Sequence, residues 1–203
     1  MIIKKIYLVW LLCKVSMKIV AFVGMPASGK GEVSKVAIGL GMPVANMGDV
    51  IREEVARISA DMSDANTGAI AMKLRALNGS DVVAVRCTPK ILSFDASVVV
   101  VDGVRSVDEV DYFKGKFGDD FVLVAVNAFA EQRLERIQRR KRADRIMDRD
   151  GFLSREEREL GWGIKAAIER ADAAIENNGS ITEFHKKVKQ LLDLIVKNQI
   201  ERK

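Results

Sequence analysis

The sequence predicts an α/β fold, a doubly wound parallel sheet of about five strands within one domain. Three observations carry this. Short apolar runs at Ile19–Val23, Ser97–Val101, Phe121–Val126 and Ala173–Ile175 read as strands buried on both faces. Stretches of helical periodicity separate them, which is the βα order of a parallel sheet. Between the first strand and its helix lies a glycine-rich turn, Gly24–Gly31.

The chain has 203 residues, enough for one ordinary core, and no linker or internal repeat marks a second domain. Its 48% hydrophobic and 30% charged content excludes a disordered protein. Cys13 and Cys87 cannot build a disulfide framework. The single histidine, His185, excludes zinc-like ligand clusters and argues against a histidine base or a Ser/His/Asp triad. No apolar run reaches the ~18 residues of a membrane span.

The formal charge is +5, unevenly spread. Residues 1–16 hold Lys4, Lys5 and Lys14 and no acid, and a second basic cluster runs from Glu131 to Arg145. The rest of the chain is slightly acidic. Such a pattern suits one focused anion site and speaks against a broad nucleic-acid surface. Residues 1–16 open like a signal peptide, but no small-residue cleavage site follows and Lys14 interrupts the apolar stretch. Met17 is therefore expected to begin the domain, 17–203, with 1–16 a mis-assigned start or leader and a cytoplasmic location.

The first strand, Ile19–Val23, runs into Gly24, Met25, Pro26, Ala27, Ser28, Gly29, Lys30 and Gly31, then Glu32 and a helix. Gly24, Gly29 and Lys30 satisfy GxxxxGK. Glycines let consecutive N–H groups turn inward, the helix N-terminus adds partial positive charge, and the lysine reaches the β- and γ-phosphates. The expected ligand is ATP with Mg²⁺. The Ser/Thr that would follow the lysine and bind the metal is here Gly31, so phosphate oxygens and water are expected to hold Mg²⁺. Gly-Lys-Gly resembles the adenylate-kinase form G-x-P-G-x-G-K-G-T, with Ala27 in place of a glycine and Glu32 in place of the threonine.

Met47–Arg52 resembles the T-G-D-x-[LI]-R segment of nucleoside monophosphate kinases, which implies that Gly48, Asp49 and Arg52 bind the acceptor. Asp49 is expected to cap a helix carrying Arg52 one turn in, within an acceptor-binding arm at 46–95. A capped surface helix is the plainer alternative. The strand from Ser97 ends at Asp102, placed to hold Mg²⁺ through water. Asp102, Gly103 and Arg105 resemble the kinase D-G-F-P-R, one residue shorter, which implies acceptor contacts from Gly103 and Arg105.

After the strand Phe121–Val126, helical spacing puts Arg133, Arg136 and Arg140 on one face. Stacked like charges repel, a cost that phosphates could offset, and Arg136 and Arg140 are assigned to stabilise the moving charge. A solvated or RNA-binding stripe is the alternative. A short helical lid is expected over 131–165, where Arg155 and Arg158 could add donors and Trp162 packs at a hinge. The loop after the last strand, with Asn177, Gly179 and Ser180, is the one that cradles adenine in P-loop kinases, or else an ordinary capped turn.

Taken together, Gly24–Lys30, Met47–Arg52, Asp102–Ser106, Arg133–Arg142 and Glu159–Gly163 resemble an archaeal adenylate-kinase-related P-loop family over nearly the whole chain after Met17. The resemblance implies a nucleoside-monophosphate-kinase-like fold and transfer of the ATP γ-phosphoryl, with AMP the first acceptor. Ala171–Ser180 is also similar to a run in dephospho-coenzyme A kinase, whose hydroxyl acceptor would need a base, Asp49 being the placed candidate. A nucleotide-responsive binding protein and an RNA-associated factor complete the alternatives.

Overall fold

The computed structural model describes residues 17–139 and 149–199. Their order is β1 (Lys18–Val23), α1 (Lys30–Gly39), β2 (Val44–Asn46), α2 (Met47–Arg57), α3 (Asp64–Asn78), α4 (Val82–Leu92) and β3 (Val98–Val104). Then come α5 (Val107–Phe117), β4 (Phe121–Asn127), α6 (Ala130–Arg139), α7 (Arg149–Gly161), α8 (Ile164–Glu169), β5 (Ala173–Glu176) and α9 (Ile181–Val196). Residues 1–16, and Arg140 with the segment to 148, lie outside the described residues.

All five strands are parallel, in the order β2-β3-β1-β4-β5. Alternate side chains divide the core between the two faces of the sheet. Ile19, Ala21, Val99, Val101 and Leu123 pack under α2 to α5 and α8, while Val20, Phe22, Val100 and Val124 meet Val33 and Ala37 of α1 and Phe184, Val188 and Leu192 of α9. Runs such as Ile19–Val23, Val98–Val101 and Phe121–Val126 are therefore apolar at successive positions, because neither face of the sheet is left to water.

Two features depart from the sequence reading. The edge strand β2 is only three residues long, and the sequence gives it no periodicity. The cap of α2 is Asn46, whose Oδ1 accepts the Gly48 N–H at 2.8 Å, and not Asp49. Asp49 lies inside the first turn and pairs with Arg52 and, at 2.8 Å, with Lys90. Among the described residues no helix is long and apolar enough to cross a membrane.

Since β1 is central, with β3 on one side and β4 on the other, the loops leaving these three strands meet at one edge. A ligand crevice forms at such a point in an open α/β sheet.

Candidate functional site

The Gly24–Gly31 turn is held from outside by other loops. Asn177, buried at the end of β5, donates its amide to Ser28 O at 2.8 Å. Arg136 donates to Asn177 O at 2.6 Å and to the carbonyls of Ala27 and Ser28 at 3.4 Å. Arg133, also buried, reaches Pro26 O at 3.3 Å and pairs with Glu156. Gly29 has φ +116°, and a Cβ there would collide with the Asn177 amide. Ala27 takes φ +61°, a left-handed conformation that costs a non-glycine residue about 1 kcal/mol. A Cβ on Gly31, by contrast, would meet nothing within 4 Å.

Lys30 folds back over this turn, donating to Gly24 O and, at 3.2 Å, to Met25 O. Burial pulls its ammonium down to about 8, against the opposing pull of the Glu159 and Asp102 carboxylates. Asp102 stands at the carboxyl end of β3, opposite Phe22 of β1 and Asn46 of β2. Its Oδ2 accepts from Ser34 Oγ at 3.1 Å. Ser34 sits one turn along α1 from Lys30, and the sequence reading did not single it out.

Beside Lys30 lies a pocket lined by Arg52, Arg75, Arg105, Arg155, Arg158 and Trp162. The guanidiniums of Arg75, Arg105 and Arg158 stand 4.5, 5.8 and 5.8 Å from the Trp162 ring centre, within cation–π range. Two deep carboxylates organise them. Glu109, fully buried, accepts from Arg75 at 2.8 Å and from the Arg105 backbone N–H at 2.7 Å. Burial raises its carboxyl above the usual range, opposed by Arg75 and Arg105. Glu159 pairs with Arg105 and, at 3.0 Å, with Arg155. Burial would raise Glu159, but these guanidiniums and Lys30 hold it down at about 2. Lys30 and the arginine pocket thus share one electrostatic neighbourhood.

A family model described as an AAA domain matches residues 23–151. A UPF0200 protein of Methanosarcina barkeri is 47% identical over 176 residues, covering 87% of this chain and 95% of its own length. The chain belongs to the UPF0200 family. A second member, from Methanosarcina acetivorans, is 45% identical over 92% of this chain and 100% of its own. This chain spans only 57% of a 48% identical UPF0200/UPF0201 protein from Archaeoglobus fulgidus. Among solved structures, TT1252 of Thermus thermophilus has a TM-score of 0.57 at 20% identity, covering 87% of this chain and 97% of that one. A shikimate kinase from Acinetobacter baumannii has 0.57 at 16%, covering 91% and 96%. At such identities the likeness is one of fold, that of an α/β P-loop kinase sheet.

In this UPF0200 chain the sequence-assigned residues fall into three groups. Gly24 to Gly31, Asp102, Arg136 and Asn177 converge on the turn after β1, while Arg140 lies outside the described residues. Gly48, Arg52, Gly103 and Arg105 line the pocket, and Asp49 flanks it through Arg52. The rest point elsewhere. Glu32 turns to α9, meeting His185 Nε2 at 3.0 Å and Lys35 at 2.7 Å. Partial burial would raise its carboxyl, but Lys35 and His185 hold it below the usual range. Ser180 spends its hydroxyl on a capping box with Glu183 at the start of α9, and Gly179 leaves room for that glutamate.

Sequence reasoning missed Arg75, Glu109 and Asp64 altogether, and it met Glu159 only inside a motif. Trp162, read as hinge packing, packs against the core and also lines the pocket.

Proposed function

We propose that this chain is a nucleotide kinase that transfers the γ-phosphoryl of ATP to a nucleoside monophosphate, with AMP the first acceptor. One observation carries the reading: β3 brings Asp102 to the first helix beside the Lys30 turn, through Ser34, and one and three residues further on brings Gly103 and Arg105 to the wall of the arginine pocket. Two phosphate groups, one on the turn and one in the pocket, would meet there.

The backbone N–H groups of Gly29, Lys30 and Gly31 would hold the donor's phosphates, with Lys30 exchanging its loop carbonyls for phosphate oxygens. Arg52 and Arg105 would orient the acceptor. An oxygen of the acceptor phosphate forms the new bond to the γ-phosphorus as the bridge to the β-phosphate breaks, and ADP leaves with that bridging oxygen. The attacking oxygen is already anionic, so no base is needed. Arg136, and Arg140 with it, would spread the transferred charge.

The donor set fits magnesium. Asp102 brings a carboxylate to the first helix beside the turn, and the described residues contain no cluster of three or more His, Cys, Asp or Glu able to hold a metal. Mg²⁺ accepts that arrangement because it keeps its waters and takes phosphate oxygens. When bound it would neutralise phosphate charge, with Asp102 holding it through water.

Transfer to a hydroxyl, as in dephospho-coenzyme A, would need a base. Asp49 suits this poorly: burial would raise its carboxyl, but Lys90 and Arg52 hold it below the usual range and make it a weaker base. A coupled assay with ATP and a panel of acceptors tests the proposal. AMP-dependent ADP formation that disappears in Lys30→Ala supports it. Tight binding of ATP and AMP without turnover would make the protein a nucleotide sensor instead.

A further inference from the structure

Each of the five pocket arginines already faces a carboxylate. Arg52 pairs with Asp49, Arg75 with Glu109, Arg105 with Glu159, Arg155 with Glu159 and Asp64, and Arg158 with Asp64. Of these four acids only Asp64 lines the pocket itself. Its partners both come from α7, at 2.6 Å to Arg158 and 3.5 Å to Arg155. It is also 24% exposed, where Glu109 and Glu159 are almost wholly buried.

The arginines keep unused donors. Arg158 lies flat over Gly68, where a Cβ would come within 2.7 Å of its guanidinium carbon. Its buried Nε has no hydrogen-bond partner among the described residues, and neither has Nε of Arg75, whose side chain is only 10% exposed. A buried charged donor left unmet is costly, so oxygen atoms brought to these edges would be favoured. With α7 drawn onto α3, the cavity is about 90 Å³, well below the ~300 Å³ at which small-molecule sites begin.

We propose that Asp64 is an internal stand-in for the acceptor's phosphate. On this inference, which rests on the pocket being the acceptor site, a phosphate monoester takes Arg155 and Arg158 from Asp64. Helix α7 shifts from α3 to admit it, and the Asp64 carboxylate returns to water. The exchange is favourable because a phosphate dianion carries more charge than a carboxylate and offers more oxygens to a guanidinium fork. Arg158 and Arg155 thus become phosphate-binding residues, and Asp64 sets how readily the site opens.

Calorimetry on the full chain tests this, with AMP and inorganic phosphate as separate ligands. Asp64→Asn keeps the side-chain shape and removes the competing charge. It should tighten both ligands about three- to fivefold, the upper range for a partly exposed ion pair, and leave ATP-analogue binding unchanged. Arg158→Met should weaken both by about tenfold or more. Binding to Asp64→Asn at wild-type strength or weaker would overturn the inference. In the wild-type chain, carbon NMR should show the Asp64 carboxyl signal moving as phosphate is added, and a signal that stays put would also overturn it. If phosphate tightens in Asp64→Asn while AMP binds to no variant, the stand-in survives and the AMP-kinase reading falls. If neither ligand binds, both fall.

Discussion

Ser34 Oγ stands 3.1 Å from Asp102 Oδ2, tying the first helix, one turn beyond Lys30, to the carboxyl-terminal part of β3. The hydroxyl usual at position 31 in such loops is absent, and Ser34 supplies one from the next turn. Committing one Asp102 oxygen to Ser34 restrains the carboxylate and, under the proposed Mg²⁺ role, would leave the second oxygen to hold the ion through water. A hydrogen bond to a charged group contributes about 1.5–3 kcal/mol. Ser34→Ala should therefore raise the Mg²⁺ needed for half-maximal ATP binding by about tenfold. Ser34→Thr should restore it. An unchanged Mg²⁺ requirement would reduce Ser34 to its other contact, the Lys30 carbonyl at 3.3 Å.

Gly29 and Gly31 should respond in opposite directions although only Lys30 separates them. Gly29 combines φ +116° with a neighbour, the Asn177 amide, that would occupy the Cβ position. Gly29→Ala should destabilise the fold by about 1–3 kcal/mol, the cost of forced backbone strain, and abolish ATP binding by displacing the turn. Gly31 begins α1 with open space around it. Gly31→Ala should stabilise by up to about 1 kcal/mol through helix propensity. Thermal unfolding of the two variants reads both signs.

The sheet was legible in the sequence where the physics is local. Ile19–Val23 and Val98–Val101 are apolar at every position because both faces are covered, and GxxxxGK fixes the turn between strand and helix. β2 was not legible, since Val44–Asn46 is too short to show a period. The pocket was legible only in part. Arg52 and Arg105 stand in motifs, but Arg75 meets Glu109 across 34 residues of chain and Arg158 meets Asp64 across 94. Spacing carries no record of such pairs. Asp49 was misread as a cap because Asn46, three residues earlier, has the same capping chemistry.

Lys30 predicts a pH signature. Its folded value of about 8 lies below the unfolded 10.5, because burial penalises the ammonium. The unfolded chain therefore binds more protons between these values, and the ligand-free protein should gain stability as pH rises from about 8 to 10.5. Phosphates on the turn would favour the ammonium again. ATP binding should then take up a proton above pH 8, and affinity should fall as pH climbs. Calorimetry in buffers of different ionisation enthalpy measures that uptake. Lys30→Met should abolish it, and proton uptake that persists in the variant would assign it to another group.

Glu159 predicts the converse at the acid end. Its carboxyl is buried, yet Arg105, Arg155 and Lys30 hold it at about 2, against an ordinary 4.5. A folded value below the unfolded one contributes stability that is complete above pH 4.5 and is lost as pH falls towards 2. At neutral pH, Glu159→Gln leaves Arg105 facing a neutral amide inside the protein, which should cost about 3–5 kcal/mol. Lowering the pH protonates the wild-type carboxyl and should make it resemble the variant. Urea midpoints of the two proteins should therefore lie far apart at pH 7 and draw together towards pH 2. A gap of constant size across that range would mean that the charge on Glu159 is not what holds Arg105 at the pocket wall, and that shape alone does so.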